Sequence, residues 1–336
     1  MNFTIVGAGA IGGTVGAYLT RGGHTVTVVD VVPEHVEYIN EHGIRISGIH
    51  GDHHYPLNAI HADDLPDHLE HVILAVKGHF TRDVVSQLIA PRLGETGFVV
   101  SFQNGLNEDT IAEIIGRERT IGAFVHFGAD YLEPGHIQLG QEQDIFLGEL
   151  DGSLSDRVRD LQSALSAVMP THATDDIYGY LWGKLVYGSM AFAVSTVDAP
   201  VPEILATENG KRVAVAACTE TARVAGALGH NLRPIGAFES AAFARNPEID
   251  GANAIERFRD EMASSIKQHM GIWRDLKIKK RRTEVDVQCG EVVRYAGQAG
   301  LPVPVNQAIV QIIHEIEDGA RGMGWENLDD LARAIP

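Results

Sequence analysis

At 336 residues the chain is long enough for one large domain or two ordinary ones, and 44% hydrophobic residues suffice for real cores. A formal net charge of −18 argues against a general nucleic-acid binder, because neutralising phosphates needs a basic surface. The two cysteines, Cys218 and Cys289, fall in no metal or redox spacing and fit a reducing compartment as small buried side chains.

Residues 2–6 read as a short buried strand that runs straight into Gly7-Ala8-Gly9-Ala10-Ile11-Gly12-Gly13. A helix-like stretch follows to about Arg21, and a second apolar run over 25–29 ends on Asp30. Strand, glycine turn, helix, strand and acid are the parts of a dinucleotide site in their required order. Gly7 permits the tight turn, Gly9 lets the backbone approach a pyrophosphate, and Gly12 lets helix and strand pack closely. The free N–H groups of the helix start, from Ala8 through Ala10 and Ile11, then face the phosphates. A carboxylate at Asp30 accepts bonds from ribose hydroxyls and repels a 2′-phosphate. Val31, Val32 and Pro33 offer that phosphate no cation, so the cofactor expected is NAD rather than NADP.

The strand–helix alternation continues through the first half. Strands are predicted over 71–76, 98–102, 121–125, 137–139 and 145–147, with helices over 80–89, 106–115 and 153–168, the last with a Ser cap. This pattern implies a parallel sheet covered by helices. Lys77 ends one strand and Gln103-Asn104-Gly105 ends another, both on the edge where a cofactor lies. Lys77 is suited to ribose or phosphate contacts, and Asn104 can donate and accept at once. Each reads equally well as a snorkelling lysine or a plain turn.

From residue 175 helices dominate, over 175–192, 209–228, 252–270, 284–299 and 305–318. The expected domains are 1–172, a Rossmann-type α/β unit with a parallel sheet, and 173–336, an all-α unit for substrate binding and dimerisation. Chemistry is expected in a cleft between them. Lys184, in Trp182-Gly183-Lys184-Leu185, stands inside an apolar stretch, where a lysine either snorkels or is held for a purpose. Arg282-Thr283-Glu284-Val285-Asp286 opens a helix, with Thr283 as cap and acids in the first turn. The sixteen histidines are scattered, with His50, His53 and His54 in a Gly-bounded loop, and no metal site is expected. The longest apolar stretch, 185–197, is too short and interrupted to span a bilayer. No targeting segment is visible, so a cytoplasmic location is expected.

These segments, in this order, resemble the ketopantoate reductase family (2-dehydropantoate 2-reductase) over nearly the whole chain. The marks are the glycine turn from Gly7 to Gly13, Val76-Lys77, Gln103-Asn104-Gly105, Trp182-Gly183-Lys184-Leu185 and Arg282 through Asp286. The resemblance implies hydride transfer to the carbonyl of a 2-oxo acid. It implies Lys184 as the catalytic lysine, Glu284 as the cleft glutamate, and Lys77 and Asn104 as cofactor and substrate contacts. The family pattern has Asn one and two turns after its lysine; this chain has Gly188 and Phe192. A basic residue usual after the second strand is replaced by Asp30. Gly271 stands near the place of a family serine, in a segment that carries His269 and Trp273. The catalytic core therefore looks kept and the specificity shell rebuilt, with Phe192, His269 and Trp273 as candidates for the substrate wall.

In the mechanism this implies, Lys184 is general acid or base and Glu284 orients it or holds a substrate hydroxyl. The expected partner is a small carboxylic acid, with no nucleic acid or membrane, and the expected assembly is a homodimer. Two other readings stay open: a non-catalytic NAD(H) sensor, and an enzyme that oxidises with bound NAD and then cleaves or isomerises the product.

Overall fold

The computed structural model describes every residue except Ile266. The chain divides into two compact units, Met1–Ile177 and Tyr178–Pro336.

The first unit carries twelve strands among its described residues: β1 (Asn2–Val6), β2 (Thr25–Asp30), β3 (Ile44–Gly48), β4 (His53–Tyr55), β5 (Asn58–His61), β6 (Leu69–Leu74), β7 (Leu93–Ser101), β8 (Thr120–Phe124), β9 (Gly128–Glu133), β10 (His136–Gln141), β11 (Ile145–Glu149) and β12 (Thr171–Ala173). Eight form one sheet in the order β12-β11-β8-β7-β6-β1-β2-β5. All its neighbours pair in parallel except β11 with β8. Side chains alternate across it, so Ile73 joins one hydrophobic core while Val72 and Leu74 join the other. The parallel, doubly covered sheet is the Rossmann-type arrangement expected.

Three details of the strands differ from expectation. The strand expected over 137–139 leaves the large sheet and joins a second one, β4-β3-β10-β9. The strand expected over 145–147 runs antiparallel, because a hairpin of β9 and β10, and no crossover helix, connects β8 to β11. His53 and His54 lie in β4, where a loop was expected. The small sheet packs on α1 (Ala10–Arg21), where a Cβ on Gly13 would sit 2.4 Å from Ile137 and 2.8 Å from Ile44. Helix α2 (Pro33–His42) follows β2 and starts on a proline, as first helical turns favour. The helix expected from 153 starts at Asp156, because Ser155 is its cap and accepts from Val158 N–H at 3.2 Å.

The second unit is helical. Its main helices are Ile177–Val194, which begins at the boundary, then Glu208–Ala227, Ala252–Ser264, Glu291–Ala299, Pro304–Glu317 and Trp325–Arg333. The helix expected over 252–270 stops at Ser264, and Ile266 of that stretch lies outside the described residues. The helix expected from 284 begins as a π-turn, Asp286–Gly290, before Glu291–Ala299. Cys218 and Cys289 are both free and buried, and burial raises both thiols, Cys289 to about 12. No helix among the described residues is long and apolar enough to cross a membrane.

Candidate active site

Three glycines, two between β1 and α1 and one in the first turn of α1, do three different things. Gly7 has φ +100°, and a Cβ there would press on the backbone of Ala75 and Val76 at the end of β6. A Cβ on Gly12 would lie 1.9 Å from the Gly7 carbonyl oxygen. Gly9 differs: no atom lies within 4 Å of a Cβ built on it. Nothing among the described residues requires a glycine there. The missing side chain leaves open the space above the first turn of α1, where a pyrophosphate meets the helix N-terminus. The turn therefore fits a dinucleotide on its own geometry.

Ala8 is gripped on both sides. Its N–H donates to Asp30 Oδ2 at 2.9 Å, and its carbonyl accepts from His35 Nε2 at 2.9 Å. His35, on α2, is buried, and the Gly135 N–H donates to its Nδ1 at 2.8 Å. That bond assigns the ring proton to Nε2, since Nδ1 must accept. The imidazole thus ties the cofactor turn to the turn between β9 and β10. Asp30 Oδ1 accepts from Val31 and Val32 N–H groups at 2.8 and 3.1 Å. Three backbone bonds fix this carboxylate at the end of β2 and leave one acceptor site on Oδ2.

A buried network joins the loops after β6 and β7. Gln103 Nε2 donates to the Val76 carbonyl at 2.9 Å and to Thr81 Oγ1 at 2.8 Å. Thr81 donates to Asn107 Oδ1 at 2.9 Å, and Asn107 Nδ2 donates to the Asn104 carbonyl at 2.7 Å. These links set the backbones that carry Lys77 and Asn104. Lys77 is exposed and Asn104 half-buried. Below the network Glu108 is fully buried, and burial pushes its carboxyl up to about 8. Ser101 favours its charged form, yet neither the hydroxyl nor either carboxylate oxygen makes a well-formed hydrogen bond.

In the second unit, half-buried Lys184 lies in the Ile177–Val194 helix. Gly188, one turn on, faces Gln288: a Cβ there would sit 2.8 Å from Gln288 Oε1. Glu284 is buried one turn before Gln288. Thr283 does not act as a simple cap, since its hydroxyl donates to Glu317 Oε1 at 2.7 Å while accepting from Val285 N–H. Tyr187 donates to Met270 Sδ at 3.6 Å, so the 269–273 segment lies against the helix of Lys184. There the His269 and Trp273 rings lie tilted against each other with centroids 4.0 Å apart, and Trp273 Nε1 donates to Asp198 at 2.9 Å. Phe192, expected on the substrate wall, is 0% exposed and packs in the interior of the second unit. His35, Thr81, Asn107 and Gln288 were missed by sequence reasoning. No motif contains them; the first three are revealed by their hydrogen-bond partners and Gln288 by the space it takes beside Gly188.

Residues 3–152 match the N-terminal ketopantoate reductase PanE/ApbA family, and residues 176–317 match the family's C-terminal region. The chain belongs to the ketopantoate reductase family. A 2-dehydropantoate 2-reductase of Archaeoglobus fulgidus is 25% identical over 320 residues, covering 94% of this chain and 97% of that protein. One from Aquifex aeolicus is 30% identical over 194 residues, 56% of this chain and 60% of that protein. A D-mandelate dehydrogenase, solved with NADH and anilino(oxo)acetate, superposes with a TM-score of 0.81 at 23% identity, covering 95% of this chain and 99% of that one. That last likeness concerns the fold. As a member of the ketopantoate reductase family, the chain is an NAD(P)-dependent hydroxyacid oxidoreductase.

Proposed function

We propose that this enzyme interconverts a 2-oxo acid other than ketopantoate with its 2-hydroxy acid, using NAD(H) in preference to NADP(H). The observation that carries the reading is the open turn at Gly9, clamped through Ala8 to the Asp30 carboxylate. Asp30 keeps one acceptor site for a ribose hydroxyl, and a 2′-phosphate would meet its negative charge. The glycine turn and the first turn of α1, Ala8 through Gly12, hold the pyrophosphate, and Lys77 and Asn104 contact the nicotinamide half. When bound, the nicotinamide supplies or accepts the hydride.

Lys184, as an ammonium, donates a proton to the substrate oxygen as negative charge grows there, and in reverse its neutral amine takes that proton. Glu284 orients Lys184. His269 and Trp273 line the substrate side, and the absence of a side chain at Gly188 is one reason to expect an acid unlike ketopantoate. The D-mandelate dehydrogenase of similar fold, seen with NADH and anilino(oxo)acetate, makes aryl acids the first to try. A homodimer in the cytoplasm belongs to the same reading, and size-exclusion chromatography tests the dimer.

The test is turnover of NADH and NADPH against 2-oxo acids, ketopantoate and phenylglyoxylate included. NADH-linked turnover of a non-pantoate acid is expected, together with at least a hundredfold loss in Lys184→Ala that leaves NADH binding intact. Efficient reduction of ketopantoate with NADPH, or tight NADH binding with no turnover of any acid, overturns the reading.

A further inference from the structure

We propose that Gln288 holds the substrate's carboxylate, through an amide that reaches the Lys184 helix at the gap left by Gly188. The inference rests on the 2-oxo acid reading above and deepens it.

Glycine is among the poorest residues for a helix interior, so its presence at Gly188 calls for a local reason. Gly188 is buried, yet among the described residues outside its own helical turn a Cβ built on it would meet only Gln288 within 4 Å, at Oε1 (2.8 Å) and Cδ (3.9 Å). The space over this turn belongs to one amide. That amide is half-buried and, among the described residues, makes no hydrogen bond. Its N and O atoms still reach solvent, so the amide is free to exchange water for a ligand that offers it matching hydrogen bonds.

The surroundings say what that ligand is. Lys184 precedes Gly188 by four residues, so both lie on one helix face. Glu284 precedes Gln288 by about one turn, in a segment where Gly290 N–H bonds to the Val285 carbonyl at 2.9 Å, a π-helical spacing. Single π-turns of this kind recur at functional sites. Tyr187, between Lys184 and Gly188, carries the Met270 contact that brings His269 and Trp273 alongside. The amide has two N–H donors to offer a carboxylate. Being neutral, it directs an anion without competing with the Lys184 ammonium for the oxygen that takes the proton. A small 2-oxo acid thus meets a cation for its carbonyl and a neutral fork for its carboxylate.

The experiment compares wild type, Gln288→Ala, Gln288→Glu, Gly188→Ala and the double variant Gly188→Ala with Gln288→Ala. Steady-state kinetics are measured with the acid that wild type turns over best, beside thermal melts. Gln288→Ala is expected to raise the KM for the acid about tenfold or more, with the KM for NADH unchanged. Gln288→Glu is expected to be worse, since it sets two carboxylates together. Gly188→Ala pushes aside only the flexible end of a side chain and adds a better helix former. It is expected to raise the same KM with no fall in Tm, and the double variant to match Gln288→Ala alone. If Gln288→Ala folds and leaves the KM for the acid unchanged, the inference fails and the oxidoreductase reading stands. If wild type turns over no acid, the reading fails and the inference with it. Should Gln288→Ala not fold, Gly188→Ala decides: an unchanged KM for the acid overturns the proposal.

Discussion

His35 Nε2 donates to the Ala8 carbonyl at 2.9 Å, so one buried imidazole on α2 holds the centre of the cofactor turn. The same ring accepts from Gly135 N–H at 2.8 Å. Replacing His35 by Leu strands both backbone groups and is expected to destabilise by about 1–3 kcal/mol. NADH affinity is expected to fall about tenfold, because the turn loses its fixed shape before binding. Gln offers one donor and one acceptor, so His35→Gln should recover part of both losses, read by melts and by NADH titration.

The three glycines of the turn should fail differently. Gly12→Ala meets the Gly7 carbonyl and is expected to lower Tm sharply. Gly9→Ala meets no protein atom, so Tm should hold while NADH affinity drops. Equal NADH binding by wild type and Gly9→Ala would remove the pyrophosphate from this turn.

Asp30 sets the cofactor preference in the proposed reading. Asp30→Ala removes the charge facing a 2′-phosphate and is expected to raise the NADPH-to-NADH ratio of kcat/KM about tenfold. It also frees the N–H groups of Ala8, Val31 and Val32, so a Tm loss is expected alongside. An unchanged ratio would assign the preference elsewhere.

Glu108 makes stability depend on pH. Burial raises its carboxyl from 4.5 to about 8, so the folded protein keeps a proton that the unfolded chain releases. Its contribution is therefore most favourable below the unfolded value, declines as pH rises between the two, and is fully lost above the folded one. Glu108→Gln should be more stable than wild type at pH 9, by an amount of the order of a few kcal/mol, and near wild type at pH 4. Denaturation at the two pH values checks this, and parallel wild-type and variant curves would contradict it.

Local pattern exposed most of the first unit and part of the site. The glycine turn, the strand ending on Asp30 and the loops at Lys77 and Asn104 were legible because strand edges and tight turns demand particular residues at fixed offsets. The long helices were legible from their apolar spacing, with ends off by a few residues where Ser155 or a π-turn set the start. The second sheet was not, because whether β10 pairs with β3 or with the large sheet depends on which residues meet across α1. Phe192 read as a wall residue because it stands where the family pattern has Asn, and that register says nothing of its burial, which is complete.

Sequence by itself determined the order of strands, turns and helices, the chemistry available at Asp30, Lys184 and Glu284, and the family those segments resemble. Those features depend on neighbours within a few residues, where backbone geometry and residue type suffice. Only the tertiary structure decided that His35 grips Ala8 across 27 positions and that Gln288 fills the gap at Gly188. Such contacts join distant segments through the direction of single side chains, and that direction is set by packing rather than by spacing along the chain.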